Sequence, residues 1–170
     1  MRFAYKIIVL IFVLLPSVMS AETFLPILSN YTSLQYHAGL QNWAVAQDAN
    51  GLIYIGNNSG ILSFDGYNWD LTPLPGNIIA RSLFCDGDRL YVGGYEAFGY
   101  MERDKFGNLG YHSLWEKVKG YHPHNDEIWN IVKTNDGKVL FQSFCSWFEY
   151  DGTHVRVHYD PGHLPLYFFQ

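Results

Sequence analysis

The feature that most constrains this chain is an internal echo at an offset of 86 residues. Trp43 is answered by Trp129, Val45 by Ile131, Gly51 by Gly137, Leu62 by Phe148, Phe64 by Tyr150, Asp65 by Asp151 and Gly66 by Gly152, with no gap between the anchors. Half of that offset falls in the interval of about 40–45 residues that one blade of a radial repeat occupies. A middle copy is therefore expected, and Ile79–Cys85, an Asp86-Gly87 turn and Arg89–Gly94 supply it, with Tyr91 and Gly93 answering Tyr54 and Gly56 at an offset of 37. The repeat allows the first strand of that middle copy two registers, one residue apart.

Each copy reads as a meander of short strands punctuated by turn dipeptides. In the first, Trp43–Asp48 alternates as a strand, and Asn50-Gly51 is expected to supply positive φ at both central positions of a tight hairpin turn. Leu52–Gly56, Ile61–Phe64 and the run from Trp69 to Thr72 follow, separated by Asn57–Gly60 and Asp65-Gly66. Four antiparallel strands of this size make one blade of a β-propeller. The expected fold is all-β: a partial β-propeller of about three four-stranded antiparallel blades, over 42–73, 78–114 and 127–159, with the start of a further blade in 160–170. Residues 21–41 form an N-terminal segment, part of which (Ile27–Leu34) is expected to act as a ring-closing strand.

These residues resemble a known repeat. Gly39-Leu40-Gln41-Asn42, Asp48, Gly51, Ile53-Tyr54-Ile55-Gly56, Gly60-Ile61 and Phe64-Asp65 are similar to the two-component regulator propeller repeat, and YHAGLQNW (36–43), FDGYNW (64–69), YVGG and FGY (91–100) are similar to one subgroup of it. The resemblance covers roughly 27–159. It implies the periplasmic sensor region of Bacteroidetes hybrid two-component or triple-tyrosine transcriptional regulators. In such regulators an immunoglobulin-like domain and a membrane helix follow the propeller. The output is a histidine kinase with DNA-binding parts, or a helix-turn-helix, and the usual ligands of the hybrid branch are oligosaccharides. None of those downstream parts is in this sequence, so neither kinase nor DNA-binding activity is assigned to it. Three copies are fewer than the roughly four to eight blades of a closed ring. The rest is expected from a continuation of the chain, of which this would be an N-terminal part, or from identical chains completing the ring.

Composition narrows the partners. Aromatics are 18% and hydrophobics 48% of the 170 residues, ample for a core, and the formal charge of −5 with scattered Lys and Arg argues against nucleic acid. Residues 1–20 read as a signal peptide: Arg2 and Lys6 precede an apolar run, Ile7–Leu15, too short to span a bilayer, and Val18 and Ser20 suit cleavage before Ala21. No Cys follows that run, which excludes a lipoprotein anchor, so the mature chain is expected in the periplasm and off the membrane. Export permits a disulfide between Cys85 and Cys145, but the two do not correspond in the repeat, and buried free thiols are expected instead.

Chemistry-bearing residues are few. His122, His124, Asp126 and Glu127 are metal-ligand types, yet Pro123 separates the histidines and no third ligand recurs, so the loop is read as solvated and no metal or cofactor is expected. Asp48, Asp65 and Asp151 occupy turn positions of the repeat and are read as turn caps. Asn57, Asn58 and Gln142 fall in or near turns assigned to the side away from the tryptophans and are given no role. No nucleophile elbow, phosphate loop or catalytic triad order is present, and no catalytic residue is expected. Trp43 and Trp129, at the starts of innermost strands, recur with the repeat and are read first as packing between blades and second as ligand contacts. Tyr95, Trp115 and Tyr121, which the repeat does not explain, are the better candidates for a ligand platform, with Glu96 and Asp126 as further candidate contacts. Flat indole faces suit sugar rings. The expected function is a non-catalytic sensing propeller for a small molecule, an oligosaccharide. Its rivals are an exported carbohydrate-active lyase or glycosidase and a protein-interaction propeller.

Overall fold

The computed structural model describes residues 28–159. The signal peptide expected over 1–20 and the further blade expected to start at 160 lie outside the described residues. Residues 28–30 are exposed coil belonging to a first unit, and all that follows concerns the second, which starts at Tyr31. A single turn of helix, α1 (Ser33–Tyr36), stands where part of the ring-closing strand was expected, and 28–32 form no strand. Gln35 explains the local choice, because its side chain reaches back to accept the Thr32 N–H at 2.7 Å.

Among the described residues, twelve strands follow in three sheets of four. The first holds β1 (Asn42–Gln47), β2 (Ile53–Asn57), β3 (Gly60–Phe64) and β4 (Trp69–Thr72). The second holds β5 (Ser82–Asp86), β6 (Arg89–Gly94), β7 (Ala97–Arg103) and β8 (Leu109–Ser113). The third holds β9 (Asn130–Lys133), β10 (Val139–Gln142), β11 (Ser146–Tyr150) and β12 (Val155–Tyr159). Each is an antiparallel meander in sequence order. The first strand of the middle sheet, β5, lies against both β1 and β9, as inner strands of neighbouring propeller blades do.

Turn chemistry sets each blade. Asp65, Asp104 and Asp151 sit between third and fourth strands and accept the N–H groups two to four residues ahead at 2.6–2.9 Å. Asp48 does the same between β1 and β2, accepting from Asn50 and Leu52. The Asn50-Gly51 turn is wider than expected. Gln47 pairs with Ile53 across a five-residue loop, and among its residues Gly51 alone takes positive φ (88°). In the middle blade the tight turn is Gly87-Asp88, one residue later than expected, because Asp86 still pairs with Arg89.

Two hydrophobic seams join the blades. Tyr54, Ile61, Leu74, Ala80, Leu90, Val92 and Met101 fill the first, which is largely aliphatic. The second is aromatic: Tyr91, Phe98, Phe141, Phe148 and Tyr150 are buried with Leu114, Ile128, Ile131 and Val139. On the first blade, Tyr31 and Tyr36 pack against the stacked pair Phe64 and Trp69. Cys85 and Cys145 are both free, as expected, although half-buried rather than enclosed. Burial and the nearby Asp48 push the Cys85 thiol up to about 11, which keeps it protonated at neutral pH.

The chain crosses from blade to blade over glycine. Ala80 N–H bonds the Asn57 carbonyl at 3.3 Å, and Ile128 N–H bonds Gly94 at 2.9 Å, one blade on. A β-carbon on Gly56 would stand 2.7 Å from the Ala80 carbonyl oxygen, a backbone atom that cannot turn aside. Gly56→Ala is therefore expected to cost about 1–3 kcal/mol. Gly110→Ala, whose β-carbon would come no nearer than 3.8 Å to other atoms, serves as the near-neutral control in urea denaturation.

Candidate functional site: the mouth of the inner strands

The three inner strands begin at one end of the array. Ala44 pairs with Gly56, Ser82 with Gly93 and Asn130 with Gln142, so the residues just before them, Trp43, Arg81 and Trp129, are structural equivalents. Trp43 occupies a bulge, the register of β1 slipping between Asn42 and Ala44, and such a slip re-aims a side chain. The three side chains converge. The indoles meet edge to face with centroids 6.1 Å apart. Arg81 lies against both, its Cζ 3.7 Å from the Trp43 ring centre and 5.5 Å from that of Trp129. Contacts of this kind are worth about 0.5–2 kcal/mol each, depending on how dry they are.

Glu127 completes the group. Its carboxylate accepts the Arg81 Nε–H at 2.5 Å, with side chains 23% and 17% exposed respectively. The Trp43 indole N–H donates to Asn58 Oδ1 at 2.7 Å, and Asn58 Nδ2 in turn reaches Gln41 at 3.0 Å. Buried Asn57 donates to the Gly39 carbonyl at 2.7 Å and to Asn42 Oδ1 at 2.6 Å. Hence the Gly39–Trp43 motif is held by the β2–β3 turn. Asn57 and Asn58 stand at the same end as Trp43, and Gln142, whose carbonyl accepts the Trp129 N–H, stands at that end too. This corrects their assignment to the opposite side, since antiparallel pairing places the end of β2 beside the start of β1. Two donors in the cluster, Arg81 Nη1 and Trp129 Nε1, are shielded from solvent and bond no acceptor.

A second layer supports the mouth from the loop before β9. Asp126 is fully buried and accepts from Tyr121 Oη (2.8 Å), the His124 N–H (3.0 Å) and Ser143 Oγ (2.7 Å). Burial alone would raise its pKa, but those donors outweigh it and hold the carboxyl below the ordinary aspartate range. Tyr121 is shifted upward, first by burial, and so remains a donor. The Tyr95-Glu96 turn attaches to this loop: Glu96 N–H bonds the Asp126 carbonyl at 2.7 Å, Tyr95 pairs with Glu127, and Tyr95 Oη bonds Asn125 at 2.9 Å.

Of the candidate residues, the fold brings Trp43 and Trp129 together and sets Tyr95 and Glu96 on the loop beside them. Tyr121 faces inward to Asp126 and Phe148. Trp115 is partly buried and packs edge-on against Phe98 and Phe148 at the second seam. A shallow cleft lined by Asn42, Trp43, Ala44, Val45 and Ile55 borders the mouth, and others lie elsewhere. The one between the first two blades, near the far turns, is lined by Asp48, Cys85, Arg89 and Glu102. Among the described residues no group of three or more His, Cys, Asp or Glu is placed to hold a metal ion, and no helix is long and apolar enough to cross a membrane.

Arg81 goes unnoticed in the sequence, and Glu127 is weighed there only as a metal-ligand type. The YVGG offset of 37 carries Trp43 to Ala80, whereas the inner strand follows an offset of 38 because the Gly87-Asp88 turn is shorter.

No family model matches the sequence, and no curated protein matches it. Among solved structures, the chain is similar to a catalytically inactive virginiamycin B lyase from Staphylococcus aureus bound to quinupristin. The TM-score is 0.55 at 12% identity, over 72% of this chain and 42% of that one. It also matches two structures from B. thetaiotaomicron, the extracellular domains of a putative one component system (TM-score 0.37, 18% identity, 74% of this chain and 22% of that) and of a putative hybrid two component system (0.38, 18%, 77% and 22%). The chain thus spans less than half the length of each. Three four-stranded meanders, neighbouring inner strands in contact and the likeness to the lyase agree on one architecture: over its described residues this chain is part of a β-propeller.

Proposed function

We propose that this chain is the ligand-sensing propeller of an exported signalling regulator, non-catalytic and periplasmic, with an oligosaccharide as its ligand. The observation that carries this reading is the mouth cluster, in which equivalent positions of three blades present two indoles and a guanidinium with a hydrogen-bonded carboxylate. Trp43 is 37% exposed, open enough to receive a ring face. Sensing then needs only a difference in affinity between two arrangements of the blades or of neighbouring domains. Because Trp43 in β1, Arg81 just before β5 and Trp129 just before β9 each reach the mouth, a ligand held there touches three blades at once. The resemblance of the repeat to regulator propellers supports the same conclusion.

Titration of the full chain with a glycan panel, read by tryptophan fluorescence, is the test. A binding member of the panel is expected to lose about tenfold or more in affinity on Trp43→Ala, equivalent to about 1.4 kcal/mol. A panel that leaves fluorescence and melting temperature unmoved throughout would count against sugar sensing. The rival lyase or glycosidase reading requires an unencumbered acid or base at the mouth. Glu127 is paired with Arg81 there, and Asp126 is surrounded by donors. Cleavage products in the same titrations would favour that rival, and binding to a protein alone would favour an interaction platform.

A further inference from the structure

Resting on the sugar-sensing reading, we infer that the mouth selects neutral sugars over uronic acids. Charge and hydrogen-bonding capacity lead to this independently. Arg81 is the cation at the mouth, and its Nε–H is already committed to Glu127 at 2.5 Å. Asp126 adjoins Glu127 in the chain, is buried, and is held in its ionised form by Tyr121, Ser143 and the His124 N–H. The Glu96 backbone bonds that same loop. The guanidinium of the cluster is therefore already neutralised by Glu127, and the next carboxylate in the chain, Asp126, is ionised as well. A ligand carboxylate would have to compete with Glu127 for that guanidinium.

The bonding capacity agrees. Arg81 Nη1 and Trp129 Nε1 are donors with no acceptor, and Glu127 is an acceptor only. A buried donor without a partner is unusual in a folded protein and marks a place where an acceptor is wanted. A group that both accepts and donates satisfies the two kinds of site together, and a sugar hydroxyl does so, whereas a carboxylate can only accept. The indoles contribute no charge and suit the apolar face of a pyranose. Reaching the shielded donors requires the exposed Trp43 ring to turn aside, which releases its bond to Asn58 and its contacts with Arg81 and Trp129.

The experiment compares matched oligosaccharides that differ at C6: mannose against mannuronate, galactose against galacturonate and glucose against glucuronate oligomers. Each is titrated into the full chain at low and at physiological salt. The expected result is binding of at least one neutral member, with its uronate partner weaker by about tenfold or more, and a gap that narrows as salt rises. Glu127→Gln is expected to shrink that gap several-fold, mainly by strengthening the uronate, with the circular dichroism spectrum unchanged. A uronate that binds as tightly as its neutral partner overturns the selectivity and leaves sugar sensing standing. An unchanged gap in Glu127→Gln also overturns the charge mechanism. Silence from every neutral and acidic sugar defeats the sugar-sensing reading, and the selectivity falls with it.

Discussion

Phe98→Ala is expected to lower the unfolding free energy by about 3–5 kcal/mol, the range for removing a fully buried phenylalanine from a core. Phe98 is enclosed at the centre of the second seam. Its ring lies 4.5 Å from that of Phe141, 4.9 Å from Phe148 and 5.6 Å from Trp115, so one deletion strips contacts from both blades and from the crossover between them. A domain of this size is stable by only about 5–15 kcal/mol, so the variant is expected to unfold at a far lower urea concentration or to fail to accumulate folded. Phe106→Ala is the control. That ring is 77% exposed in the β7–β8 loop, and its loss should register within about 0.5 kcal/mol. Equal midpoints for the two variants would show that the aromatic seam does not hold the blades together.

Asp126→Ala comes next, with an expected loss of roughly 3 kcal/mol. Hydrogen bonds to a charged group contribute about 1.5–3 kcal/mol each, offset here by the cost of burying the charge. The alanine leaves the His124 N–H without its acceptor, while Tyr121 retains Ser146 Oγ at 2.6 Å and Ser143 retains the Ser146 carbonyl at 3.2 Å. The isosteric Asp126→Asn separates charge from shape. The folded-state pKa of Asp126 lies below its unfolded value near 4, so its contribution is complete above that value and disappears as pH falls through the folded pKa. The stability gap between the parent chain and Asp126→Asn should therefore be constant near neutrality and close progressively below about pH 4. Unfolding curves taken from pH 7 down to 2.5 measure it. A gap that survives to the lowest pH would mean that the carboxylate's charge contributes nothing to the fold.

The same network explains why this loop resisted interpretation from the sequence. His122, His124, Asp126 and Glu127 are the residue types of a metal site, and nothing local distinguishes a ligand from a structural acceptor. The distinction lies in partners 17 or more residues away: Ser143 for Asp126, and Arg81, 46 residues back, for Glu127. By contrast, the Asp turns were legible, because an aspartate that accepts N–H groups two to four residues ahead finds all its partners in the same few residues.

Taken by itself, the sequence determined the three blades of the described residues, their pitch and the strand order within each. Those follow from turn chemistry and alternation repeated at a constant offset, and both are properties of short segments. Only the tertiary structure decided what the mouth contains. Trp43, Arg81 and Trp129 lie 38 and 48 residues apart, and a turn one residue shorter in the middle blade, with a bulge at Trp43, sets which side chain each blade delivers. Such a meeting depends on how three sheets pack about an axis, and no local pattern encodes the sum of those small shifts.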